Sequence, residues 1–180
     1  MRIPAFPVES MAPPSGIAAY TLHHFHRQMT RISYARAEPQ AYNAMRSMQD
    51  YVSSSGLDSK LMELIKIRCS QINGCAHCLD MHTQDALALG EEPRRIFTLP
   101  AWRDSPFYAD AERAALELSE AVTRISDSGV PDSIFENVMK HFTEAEFVRL
   151  LMCINTINCW NRLNISCGVT AGTYNRENRK

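Results

Sequence analysis

Two cysteines and a histidine stand at spacings that suit thiol redox chemistry. They are Cys75, Cys78 and His82, in a Cys-Ala-His-Cys run followed four residues later by the histidine. A helix advances about 100° per residue, so in a helix starting near Cys75 the second cysteine lies about 60° around the axis from the first, and His82 about 40° from Cys78. All three share one face. Two thiols on a first helical turn approach disulfide geometry with little backbone movement. An imidazole one turn deeper is placed to serve the second thiol as a base or proton relay.

The energetics ask for such a partner. A free thiol has a pKa near ~8.5, which leaves a few per cent thiolate at neutral pH. A helix N-terminus stabilises an anion by roughly 0.3–1 kcal/mol, up to about 2 in partly buried sites. That is about one pKa unit, and a proton acceptor such as His82 completes the activation.

Other readings compete for the same residues. Zinc would take Cys75, Cys78 and His82 but needs a fourth ligand, and Cys153, Cys159 and Cys167 carry no second CxxC or HxxxH spacing. Haem attachment requires histidine directly after the second cysteine, where Leu79 stands. A thioredoxin-like motif belongs in a βαβ setting, and this chain shows no strand pattern. A pair of merely buried thiols is the plain alternative.

The elements that must position this face read as helices. No segment alternates apolar and polar residues for long, and β-branched runs are missing. The spacing predicts helices over Ile17–Ile32, Pro39–Ser53, Ser59–Gln71, Ala76–Leu89, Asp110–Ser126, Asp132–His141 and Glu144–Cys167, with a short turn near Glu92–Thr98. Gly56 and Gly90 follow predicted helices and suit left-handed termini. Asn73-Gly74 marks a turn, and Thr143 with Glu146 forms a capping-box pattern. Residues 1–15 are Pro-rich and expected to be an extended arm, with residues 16–180 forming a single helical domain.

Composition bounds the partners. The 180 residues include 45% apolar side chains, a net charge of -1 and six cysteines. Basic residues are scattered among acids, so no nucleic-acid partner is expected. No basic amphipathic stretch points to a membrane surface. The most apolar stretch, Phe147–Trp160, is interrupted by Arg149, Asn155, Thr156 and Asn158 and is shorter than the ~20 residues a spanning helix needs. The N-terminus has prolines and a glutamate where a signal peptide needs an apolar run. The chain is therefore expected to be cytoplasmic, with reduced thiols apart from the one pair. Cys69, Cys153, Cys159 and Cys167 read as small core residues. Trp160, Asn161 and Arg162 read as packing residues, and His23, His24 and His26 as a surface cluster.

The stretch SQINGCAHCLDMHTQDAL, Ser70 to Leu87, resembles the core motif of alkylhydroperoxidase D-like (AhpD-like) proteins in the carboxymuconolactone decarboxylase superfamily. Glu63 stands twelve residues before Cys75, where that family has its catalytic glutamate, and His77 between the cysteines also fits. The segment INTINCWNRL resembles a further recurring family stretch. The resemblance implies an all-α, multi-helix AhpD-like fold with the CxxC at the N-terminus of a central helix. It implies peroxide reduction, with Cys78 as peroxidatic thiolate, Cys75 as resolving thiol, and Glu63 and His82 as a proton relay. No cofactor and no metal are expected. The reductant would be a dithiol, such as a lipoylated protein, and the assembly a homo-oligomer, trimer or hexamer. A non-catalytic redox sensor is the rival function. A decarboxylase of the same superfamily is a further one, although those enzymes do not depend on a CxxC pair. On the helical wheel alone, Glu63 shares a polar stripe with Lys60, Lys66 and Ser70 and reads as solvated.

Overall fold

The computed structural model describes residues Thr30–Arg176, and these are all-helical with no strand. The Pro-rich arm and the three clustered histidines lie outside the described residues. So does the expected Ile17–Ile32 helix, apart from Thr30–Ile32, which are not helical. The helices are α1 (Tyr34–Ala37), α2 (Pro39–Ser53), α3 (Ser59–Asn73), α4 (Ala76–Ala88), α5 (Pro93–Thr98), α6 (Asp110–Thr123), α7 (Ile125–Ser128), α8 (Asp132–Met139) and α9 (Glu144–Cys167).

The ends form for local reasons. Asp58 caps α3, accepting from the Leu61 N–H at 2.8 Å. Gly74 ends α3 at φ 71°, a left-handed conformation that a side chain would strain, and this reversal turns the chain straight into α4. Thr143 and Glu146 make the expected reciprocal cap on α9. The expected Asp110–Ser126 helix is broken. It stops at Thr123, Arg124 leaves helical geometry at φ -106° and ψ 38°, and one further turn, α7, follows. The β-branched pair Val122-Thr123 weakens that end, and the Thr123 hydroxyl is held by Cys69 and Asn158.

Helix α3 is the centre of the molecule and packs against α4, α6 and α9. Leu61, Met62, Ile65 and Cys69 join residues of α6 and α9, such as Leu118 and Ile154, in one core. Leu64 and Ile67 join a second core with Ala86, Ile96, Leu99, Trp102 and Leu116. Each fully buried aliphatic side chain contributes roughly 1.5–3 kcal/mol. With a core on each of two sides, the stripe between them has no route to solvent. Glu63, Lys66 and Ser70, three and four residues apart, face α4 and α9 instead of water. This overturns the solvated reading of Glu63: it is 6% exposed, as is Lys66, and Ser70 is 0% exposed. Lys60, at the end of the stripe, does reach the surface, where it donates to the Gly90 carbonyl.

Of the four other cysteines, Cys69 and Cys153 are buried in the core as expected, whereas Cys159 and Cys167 are half-buried. No helix among the described residues is long and apolar enough to cross a membrane.

Candidate active site

The αL turn at Gly74 delivers Cys75 to the N-cap of α4. Its backbone is extended there, and its sulfur accepts from the Cys78 N–H at 3.4 Å. Cys78 follows in the first turn, with a Cα–Cα separation of 5.4 Å, and the two sulfurs are joined in a disulfide. Both cysteines are buried.

One turn further along α4, His82 points back at α3. Its Nδ1 lies 2.7 Å from Glu63 Oε2. The Nδ1–H donates to the carboxylate, which leaves Nε2 as the nitrogen that takes or gives a proton. The other Glu63 oxygen accepts from Lys66 Nζ at 2.7 Å. Burial pushes the Glu63 carboxyl up, but the hydrogen bond and charge of His82, with Lys66 adding its own, outweigh burial and hold it at about 2. Glu63 is thus a fixed anion behind an imidazole.

Helix α9 closes the other side with three asparagines spaced three residues apart. Asn158 and Asn161 accept from Asn73 Nδ2 at 2.7 and 2.8 Å, and Asn161 Nδ2 donates to Ser70 Oγ at 3.0 Å. These bonds pin the end of α3, and with it the turn carrying Cys75. Asn164, one step further, donates from Nδ2 to Cys78 Sγ at 3.4 Å. Its Oδ1 accepts from the Tyr34 hydroxyl at 2.9 Å. Burial raises the Tyr34 phenol, with Tyr42 and Cys167 adding to it, so the hydroxyl stays protonated and able to donate.

A cavity of about 420 Å³ opens onto this site. Cys78, His82 and Asn164 line it and Cys75 does not. His77 is also in its wall, but its Nδ1 faces the Thr170 carbonyl at 3.2 Å, toward the C-terminal tail and away from the Glu63 pair. Of the residues singled out from the sequence, the structure therefore gathers Cys75, Cys78, His82 and Glu63 around one centre and sets His77 at its edge.

Asn164, Tyr34 and the role of Lys66 lie beyond the sequence expectations. The one sequence signal, for Asn164, is the run Asn158, Asn161, Asn164: polar residues at helical spacing on a segment otherwise suited to the core. A second cluster, Glu63, His82 and Asp85, brings one imidazole and two carboxylates within 4.8 Å of one another. Two of its members are hydrogen-bonded to each other, Lys66 adds a positive charge, and Asp85 accepts from the Tyr174 hydroxyl at 2.6 Å. Those contacts account for all three residues without a cation.

A helical fold that presents a CxxC disulfide at a helix N-terminus, backed by a buried Glu–His pair, defines an AhpD-like dithiol protein. Residues 39–121 match the carboxymuconolactone decarboxylase family. The chain is 45% identical over 143 residues to the uncharacterized protein YdfG of Bacillus subtilis (strain 168), covering 79% of this chain and 97% of YdfG. It is 40% identical, with a TM-score of 0.79, to a solved structure of an Agrobacterium tumefaciens protein of unknown function, given as a candidate antioxidant defence protein AhpD. That match covers 81% of this chain and 100% of the other. An uncharacterized peroxidase-related protein from Ralstonia eutropha JMP134, described as an alkylhydroperoxidase AhpD core, shares the fold at 19% identity and a TM-score of 0.69, covering 77% and 74% of the two chains. The chain belongs to the carboxymuconolactone decarboxylase family, on its AhpD-like side.

Proposed function

We propose that the protein is a thiol-dependent peroxidase that reduces hydrogen peroxide or organic hydroperoxides through a Cys75/Cys78 dithiol–disulfide cycle. One observation carries the reading: the cavity reaches Cys78 and not Cys75, so a peroxide arriving from outside meets one sulfur while the other waits behind it.

In the reduced protein, His82 Nε2 takes the Cys78 thiol proton, and Glu63 stabilises the resulting imidazolium. The Cys78 thiolate attacks the terminal peroxide oxygen. An S–O bond forms, the O–O bond breaks, and the departing alkoxide or hydroxide collects the proton from His82. Cys78 is then a sulfenic acid. The Cys75 sulfur attacks it, forming the S–S bond and releasing the hydroxyl group, which leaves as water with the Cys75 thiol proton. Two thiols have given two electrons to one peroxide. An external dithiol, such as a lipoylated protein, restores the pair by exchange. Asn164 donates to the Cys78 sulfur throughout, and the N-terminus of α4 favours negative charge on it.

The test is a coupled peroxide assay with dihydrolipoamide as electron donor. Wild type should consume many equivalents of peroxide per chain, and Cys78→Ser none. Cys75→Ser should not cycle: one peroxide takes Cys78 to the sulfenic acid and a second takes it to the sulfinic acid, seen as a mass gain. Consumption of a single equivalent by wild type with dithiol in excess identifies a redox sensor and removes the proposal. So does unchanged turnover in Cys78→Ser.

A further inference from the structure

The cavity in front of Cys78 is much larger than hydrogen peroxide requires. A water molecule takes about 30 Å³ of liquid, and hydrogen peroxide is little bigger. At about 420 Å³ the space falls within the range that holds drug-sized ligands, roughly 300–1,000 Å³. Its wall carries an aromatic cluster. Tyr34 from α1, Tyr42 from α2 and Trp160 from α9 form a ring cluster with mutual centroid distances of 6.1–6.2 Å, and all three line the space.

Its charge is one-sided. Among the described lining residues Arg46 is the one permanently charged side chain, and no carboxylate lines the wall. Arg46 stands one helical turn after Tyr42 on α2, so the guanidinium and the ring project from the same face. Its described ion pair is with Asp50 at 3.7 Å, with side chains 48% and 68% exposed. Such a pair is weak and readily exchanged. A guanidinium offers parallel N–H donors matched to a carboxylate.

We propose that this cavity selects an aromatic hydroperoxide bearing a carboxylate, with the ring held by Tyr34, Tyr42 and Trp160, the carboxylate by Arg46, and the peroxide group directed at Cys78. The inference deepens the peroxidase reading and rests on it for the chemistry, though the binding it describes stands separately. Reduction proceeds by the same thiolate attack on the peroxide and closure of the Cys75–Cys78 disulfide. The carboxylate and ring are not changed, and the product is the corresponding alcohol.

Two measurements test it. The first compares kcat/KM for hydrogen peroxide, cumene hydroperoxide and 4-carboxycumene hydroperoxide. Wild type should prefer them in rising order. The ratio of the carboxylated to the uncharged aromatic substrate should fall about tenfold in Arg46→Gln, the loss expected for one charge-assisted contact. Equal kcat/KM for the two aromatic peroxides in wild type, or an unchanged ratio in Arg46→Gln, overturns the proposal. The second uses 4-(2-hydroxypropan-2-yl)benzoate, the product alcohol, which accepts no electrons. It should quench Trp160 fluorescence saturably, with Trp160→Leu reporting the contribution of Trp102. Saturable quenching that weakens in Arg46→Gln, in a protein that turns over no peroxide, keeps the ligand class and removes the peroxidase reading. Absence of saturable quenching removes the ligand class whatever the turnover.

Discussion

The amide nitrogen of Asn164 lies 3.4 Å from the sulfur of Cys78, while its oxygen accepts from the Tyr34 hydroxyl at 2.9 Å. The second bond orients the amide, so the end facing the sulfur is the donor. A donor aimed at sulfur favours thiolate over thiol. Asn164→Ala should therefore raise the Cys78 thiol pKa by about one unit, the worth of a hydrogen bond to a charged group. The pH dependence of iodoacetamide alkylation in the reduced protein reads this directly. Tyr34→Phe should shift the profile the same way by less, and coincident profiles for all three proteins would show that the amide leaves the sulfur's acidity alone.

Glu63 holds the His82 imidazole and the Lys66 ammonium at once, so its loss has two separable consequences. Glu63→Gln should slow peroxide turnover by roughly 10²–10⁴, the range for losing a proton-transfer partner. It also leaves the Lys66 ammonium, whose side chain is 7% exposed, buried without its anion. Breaking such a pair costs roughly 3–5 kcal/mol. The double variant Glu63→Gln/Lys66→Met should recover most of the stability in urea denaturation while turnover stays low. Recovery of both would make the carboxylate purely structural.

Acid should unfold the protein in part through the same residue. Folded, the Glu63 carboxyl sits at about 2, below its ordinary 4.5, so the unfolded chain binds the proton more readily. Its stabilising contribution is whole above about pH 4.5 and disappears as pH falls from there toward about 2. Urea midpoints measured at pH 6.5, 4 and 3 should drop more steeply for wild type than for Glu63→Gln/Lys66→Met. Parallel curves would show that other carboxylates carry the acid sensitivity.

Six cysteines should divide by reactivity. Cys69 and Cys153 are both 0% exposed, and burial pushes each thiol up to about 12. In the native reduced protein neither should react with alkylating agents at pH 8, whereas Cys78 should be modified. Peptide mass mapping with and without urea checks this, with Cys69 and Cys153 modified only once the chain unfolds. Early labelling of Cys153 would mean that the α3–α9 core opens on its own.

Short-range information in the sequence was enough for much of this protein. The helical periods, the Thr143 cap, the Asn73-Gly74 turn and the CxxC followed by His82 are all local patterns, because helices are built from contacts three and four residues apart. They placed Cys75, Cys78 and His82 on one face of one helix and predicted an all-α chain. Glu63 was a different matter. Its helical wheel said surface, since a wheel records which residues share a face and not what covers that face. Only the packing of α3 between two cores turned Glu63 and Lys66 inward and set the carboxylate against an imidazole nineteen residues later. Asn164 meets both Cys78 and Tyr34 across still longer stretches of chain, and the cavity wall draws on α1, α2, α4 and α9 together. Such juxtapositions have no period to leave in a sequence, because they arise only when helices that are independent along the chain pack side by side.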